Sequence, residues 1–136
     1  MGFAAERTAI EAKFASWATT PVKWPNLPFQ QPASAWIAVH IVNGSSSEIS
    51  IAPPVLRRHL GVVVVQIFDK ENNSESTIRT IADQVEALFL NQPQNEIRIS
   101  ATETIRFRSP SLGAAQIVNG WQQRNVTIPF ERDEMK

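Results

Sequence analysis

The residues able to do chemistry in this chain are few, and their spacing argues against most of the chemistry open to them. The two histidines, His40 and His59, stand 19 positions apart in strand-like sequence. A helical metal pair needs two ligands one turn apart on one face, so each histidine is read as a hydrogen-bonded structural group. Asp69, Glu71 and Glu75 gather in one polar stretch, yet they lack the alternating ligand spacing of a calcium loop. A solvated loop is the reading they support. No Gly-x-Ser-x-Gly turn, phosphate-cradling glycine loop or dinucleotide fingerprint is present. The absence of cysteine removes disulfides, thiolate nucleophiles and thiolate metal sites. No nucleophile, base or metal set assembles, so the expectation is a protein that is not an enzyme, with no cofactor and no metal.

The arginines are the remaining candidates. Arg57 and Arg58, with Arg98, Arg106, Arg108 and Arg124 on later strands, could project from one sheet face as a basic stripe. A nucleic-acid platform would interleave exposed aromatics for base stacking, whereas Phe107 and Trp121 read as core-directed. Thirteen basic residues balance thirteen acidic ones, and the basic excess of a non-specific nucleic-acid binder is missing. Solvated or intrachain-paired arginines therefore come first, subunit contacts second and nucleic-acid contacts third.

The elements that must position these groups are organised around Arg57 to Phe68. Four consecutive valines and Gln66-Ile67-Phe68 read as a strand with Val63, Val65 and Ile67 on one side and Val62, Val64 and Phe68 on the other. Both sides are apolar, which marks a central strand covered twice. Residues 3 to 19 read as a helix through Phe3, Ile10, Phe14 and Trp17, with Glu6, Glu11 and Lys13 off the stripe. Thr19-Thr20-Pro21 ends it. The segment from Pro21 to Pro32 holds four prolines and runs extended, carrying Trp24 and Phe29 either as caps on the chain's own core or as groups for a partner's groove. Ala35 to Val42 is a strand, Asn43-Gly44-Ser45-Ser46 a hairpin turn, and Glu48 to Ile51 the returning strand, stopped by Pro53-Pro54.

Ser74 or a neighbour caps a second helix reaching about Asn91, with Ile78, Ile81, Ala82, Val85, Leu88 and Phe89 at helical spacing and Asn91-Gln92-Pro93 as its stop. Glu96 to Ile99 then resumes strand alternation, so strand, helix and strand are expected to form a right-handed crossover. Thr104 to Arg108 sets Arg106 and Arg108 opposite Ile105 and Phe107. Residues 109 to 120 read as a long loop. Trp121 to Phe130 is the last strand, with Val126, Ile128 and Phe130 on one side and Arg124 elsewhere, and residues 131–136 read as a frayed tail. At 136 residues and 43% hydrophobic content the chain suits one α+β (mixed α/β) domain, a central mixed sheet of about five strands with two main helices. With no basic-then-apolar leader and no membrane-length apolar run, a cytoplasmic product with no membrane partner is expected.

Read together, the opening helix, Thr20-Pro21-Val22-Lys23-Trp24-Pro25-Asn26-Leu27-Pro28-Phe29, Ala35-Trp36-Ile37-Ala38-Val39, Arg57-Arg58-His59-Leu60-Gly61-Val62 with Gln66-Ile67-Phe68, and Ile81-Ala82-Asp83 before Leu88-Phe89 resemble the tail-terminator family of long-tailed bacteriophages. The connection Asp69-Lys70-Glu71-Asn72-Asn73-Ser74 departs from the glycine-rich loop of relatives, and Arg98 to Gly120 offers no motif to align. The resemblance implies a single domain over 1–136 that forms a homo-hexameric ring, stops polymerisation of the tail tube and helps present a surface for the head. The implied partners are copies of itself, the tail-tube protein and a head-completion or neck protein. The implied location is the host cytoplasm during assembly, in phage or prophage, and then the virion tail. A head-tail connector and a small RNA- or ligand-binding α/β module are the alternatives.

If both helices share a face, something else must cover Val62, Val64 and Phe68, and a neighbouring subunit is one candidate. The rival is helices on opposite faces, or the aromatic loop folded beneath the sheet. Trp24, Phe29, Arg57, Arg58, Val62, Val64, Arg106 and Arg108 are the candidate subunit or tube interface.

Overall fold

The structure is a computed structural model describing residues 2–90 and 95–135. Ten elements follow in order: α1 (Phe3–Ala12), β1 (Val22–Lys23), β2 (Trp36–Glu48), β3 (Leu56–Lys70), α2 (Ser76–Leu90), β4 (Glu96–Ser100), β5 (Glu103–Phe107), β6 (Ser111–Leu112), β7 (Gln116–Val118) and β8 (Trp121–Met135). The class is α+β as expected, but the sheet has eight strands rather than about five, in the order β1-β2-β3-β8-β5-β4. Its first pair is parallel and the others are antiparallel. The valine strand β3 is central, flanked along its whole length by β8 and along most of it by β2. The far edge of β8 is covered in turn by β7, β6 and β5.

Both helices lie on one face. Ile10 and Phe14 from the N-terminal segment and Ile78, Ile81, Val85 and Phe89 from α2 form one buried cluster with Ile37, Val39, Val63, Val65, Ile67, Val126, Ile128, Ile105 and Phe107. Ring contacts of Phe89 with Phe14 at 5.8 Å and with Phe107 at 4.9 Å tie the two helical segments to the sheet. Helix α2 follows its apolar period, and its start is marked by Ser74, whose Oγ accepts the Ser76 amide at 3.2 Å. Its expected stop at Asn91-Gln92-Pro93 lies outside the described residues.

Several expectations are corrected. Helix α1 ends at Ala12, and the chain runs on in tighter turns, with the amides of Lys13, Phe14, Ala15 and Trp17 each bonding three residues back. Those turns set Phe14 between Trp24 and Phe89. Glu6, read as off the apolar stripe, is buried. Asn43 to Ser46 is a bulge inside β2 and no hairpin turn, because β3 is long enough to keep pairing on both sides of it. The chain reverses instead beyond Glu48, through a segment containing the cis Pro53-Pro54 bond. Close packing explains Gly61 beside this bulge: a Cβ there would lie 2.6 Å from the Phe130 ring.

The strand after α2 does not complete a crossover. β4 pairs antiparallel with β5, and that hairpin sits on the far side of β8, so β4 runs opposite to β3. The stretch from 109 to 120 is not a plain loop either. Asn119 and Gly120 both take positive φ (52° and 80°), and β7 pairs back onto β8 through Val118 and Trp121. Asn-Gly is the residue pair that a two-residue hairpin turn requires. Finally, β8 continues through residues 131–135, so the frayed tail is in fact strand, with Glu131, Arg132 and Glu134 buried.

Candidate interaction surface

The sheet face turned away from the helices carries a graded set of side chains, laid out by strand register. At one end Trp36 lies opposite Phe68 and stacks on it at 4.1 Å, with Phe29 at 5.2 Å and Trp121 at 6.2 Å from Trp36. Lys70 lies over the Trp121 ring at 4.6 Å. The next register positions bring His40 and Gln66 within 3.0 Å of each other. Beyond them comes an aliphatic patch: Val64, then Val42 opposite Val62 opposite Pro129, then Leu60. Val42 is 52% exposed and Leu60 44%, while Val62 and Val64 are half-buried by their neighbours. No described helix crosses this patch.

The far end is ionic. Glu131, almost buried, receives Arg106 at 2.8 Å and Arg108 at 2.9 Å and lies 3.7 Å from Arg58. Arg58 also grips both carboxylate oxygens of Asp133, at 2.8 and 2.9 Å, and Arg106 reaches Glu96 at 3.3 Å. The hydrogen bond to Asp133 raises the Arg58 pKa, and that to Glu131 raises the Arg106 pKa, each against the effect of burial. Hydrogen bonding from Arg58 in turn holds the Asp133 carboxyl below the usual aspartate range.

A pH signature follows from that depression. The folded state binds the Asp133 proton more weakly than the unfolded chain, so the contribution is whole above about pH 4 and disappears as pH falls through the depressed value. The melting-temperature advantage of the native protein over Arg58→Met should therefore shrink below about pH 4. An unchanged advantage in stronger acid would show that the pair does not act this way.

The candidate residues divide among three places. Arg58, Val62, Val64, Arg106 and Arg108 share the helix-free face. Trp24 packs on the other side, 5.6 Å from Phe14, and Phe29 lies on Trp36, so both loop aromatics bury surface of their own chain. Arg57 stands on the hairpin with Glu48 at 3.0 Å. Trp121, read as core-directed, belongs to the helix-free face, and Arg124 lies on the helix side with Val126, paired to Glu75. Leu60 and Val42 complete the patch, and strand alternation from Val62 and Val64 along β3, and from Ala38 and His40 along β2, would have found them.

A second polar centre is buried on the helix side. Arg132, wholly inaccessible, meets Glu103 at 2.5 Å, Glu6 at 3.1 Å and Glu134 at 3.1 Å. Asn43 donates to Glu6 at 2.8 Å, and His59 lies 2.9 Å from Glu134 and 2.6 Å from Ser46 Oγ. The Phe3 ring closes it, 5.0 Å from the guanidinium. A guanidinium thus occupies the middle of three carboxylates, and among the described residues no group of three or more His, Asp or Glu side chains is placed to hold a metal ion. The centre ties α1 to β5 and β8 and so supports the face behind it. Arg132 has the parity of Val126, Ile128 and Phe130, which was the signal available in the sequence.

Three comparisons bear on this arrangement. A family model described as "Phage tail terminator protein" matches residues 7–130. A solved structure that carries no functional name is similar with a TM-score of 0.72 at 20% identity, over 100% of this chain and 97% of that one, a likeness of fold alone. No curated protein matches. Among the described residues, no helix is long and apolar enough to cross a membrane.

Proposed function

We start from the fact that the chain belongs to the phage tail terminator family and is therefore a structural protein of the phage tail, and propose that it caps the growing tail tube as a homo-hexameric ring. In this reading the ring assembles in the host cytoplasm, stops addition of tube subunits and presents its free side to a neck or head-completion protein. The observation that carries it is the helix-free sheet face, where Val42, Leu60, Val62 and Val64 form an aliphatic patch beside an ionic cluster. Copies arranged head to tail would cover such a face through one repeated heterologous contact. The arginines support a protein contact better than a nucleic-acid one. Arg58, Arg106 and Arg108 already face carboxylates of their own chain, which leaves little net positive field for phosphate.

The test is a tube-polymerisation assay. Tail-tube protein polymerising in the presence of this chain should give tubes of limited length carrying a ring at one end in electron micrographs. Tubes that grow without limit while the protein still binds their ends would instead identify a connector, and no binding to tubes would reject the reading.

A further inference from the structure

We propose that the tip of the β2–β3 hairpin of one copy seats Ile51 in a groove between α1 and the outer edge of β2 of the next copy. This rests on the ring-forming reading above and adds which parts of the chain meet.

The tip is a fixed, apolar projection. Ile51 is 99% exposed and Ile49 49%. The Ile49 amide donates to the Leu56 carbonyl at 2.7 Å, the Leu56 amide to Ser50 Oγ at 2.8 Å, and Arg57 pairs with Glu48 at 3.0 Å. A side chain presented on a backbone held this way loses little further freedom on docking.

The groove is on the same chain but out of the tip's reach. Phe3, Trp24 and Ile41 supply apolar walls, Arg7, Glu11 and Asn43 lie along it, and its volume is about 240 Å³. A single water needs only about 10–15 Å³ of such space, so the groove has room for an aliphatic side chain. Beyond Asn43, the last β2 residue on the groove, the hairpin runs on for five residues to Glu48, at most roughly 16 Å of strand with the bulge within it. Pairing with β3 holds the tip beyond the end of its own groove, which the tip of a second copy can enter.

Two further features match the halves. β1 covers β2 only at Ile37 and Ala38, so among the described residues no strand pairs with the outer edge of β2 from Val39 onward. An extended segment entering the groove meets that edge and can add backbone hydrogen bonds. The charges also complement each other. The hairpin carries Glu48 and Arg57, and the groove carries Arg7 and Glu11, paired at 2.6 Å. Exposed pairs of this kind contribute little in water, so they can realign at small cost with Glu48 on Arg7 and Arg57 on Glu11.

The chain has no cysteine, so introduced thiols report on one contact alone. Ile51→Cys combined with Pro25→Cys, at the groove, should give a reducible ladder of oligomers on oxidation in the presence of tail tubes. Either single variant should give nothing beyond a dimer. Ile51→Ser should keep the native melting temperature and raise the concentration for half-assembly by about tenfold or more, as expected for loss of one buried aliphatic side chain. If native mass spectrometry or microscopy shows rings of the unmodified protein, but the double variant stops at dimers and Ile51→Ser assembles unchanged, the hairpin contact is wrong and the ring stands. If the unmodified protein forms no ring with or without tubes, the reading beneath it falls as well.

Discussion

Arg132→Met is expected to lower the stability of the protein by about 3–5 kcal/mol, the usual cost of removing one partner from a buried ion cluster. Arg132 is the only guanidinium within salt-bridge distance of Glu103 and Glu6 among the described residues, and Glu134 lies beside it. The substitution keeps much of the side-chain bulk and leaves three almost fully buried carboxylates without the guanidinium. For a chain of 136 residues each kcal/mol shifts the melting temperature by roughly 3 °C, so a fall of about 10–15 °C should accompany it. Urea unfolding measures the effect directly. Adding Glu6→Gln and Glu103→Gln to Arg132→Met should recover part of the loss, since neutral amides tolerate burial better than unpaired charges. A loss under about 1 kcal/mol would mean that the cluster is not what anchors α1 to the sheet.

The second large effect is on assembly and spares the fold. Val42 and Leu60 are about half exposed, with the half-buried Val62 next to them. Val42→Lys with Leu60→Lys replaces two aliphatic groups by flexible cations that remain solvated in the free chain, so stability should change by less than about 1 kcal/mol. If a neighbour covers the patch, each substitution removes the burial of the exposed half of a side chain, roughly 0.7–1.5 kcal/mol. The pair should then weaken assembly by about tenfold or more. Tube-length measurements on the double variant check this: capped tubes at unchanged protein concentration would place the assembly contact elsewhere.

What could be read from the sequence followed local periodicity. The valine strand shows its two faces by alternation, and α2 by its apolar spacing, because each pattern is written in consecutive residues. The α+β class follows from those two elements and the N-terminal helix. The misreadings occur where a distant partner overrides a local cue. Asn43-Gly44-Ser45-Ser46 has turn chemistry, yet β3 holds it as a bulge. Phe14 and Trp17 continue a helical stripe, yet packing against Trp24 and Phe89 favours tighter turns. The charged run from Glu131 to Glu134 looks like a solvated end. Pairing with β3 and β5 makes it strand, and the alternation that buries Phe130 also buries Arg132. Asn119-Gly120 was a local cue that the surrounding glycines and proline obscured. The arginines of the candidate surface were visible as types. Their partners Glu131 and Asp133 were hidden in the supposed tail.

The Arg132 centre also sets an order of events during synthesis. Glu6 and the arginine that holds it are 126 positions apart. At about 5–20 residues per second a ribosome needs roughly 6–25 s between them. Throughout that interval α1 has no cation to dock against. A chain broken off before β8 would carry a loose first helix and a sheet without the strand that joins β3 to β5. Until β8 is made, Glu6 and Glu103 lack the guanidinium that neutralises them in the folded protein.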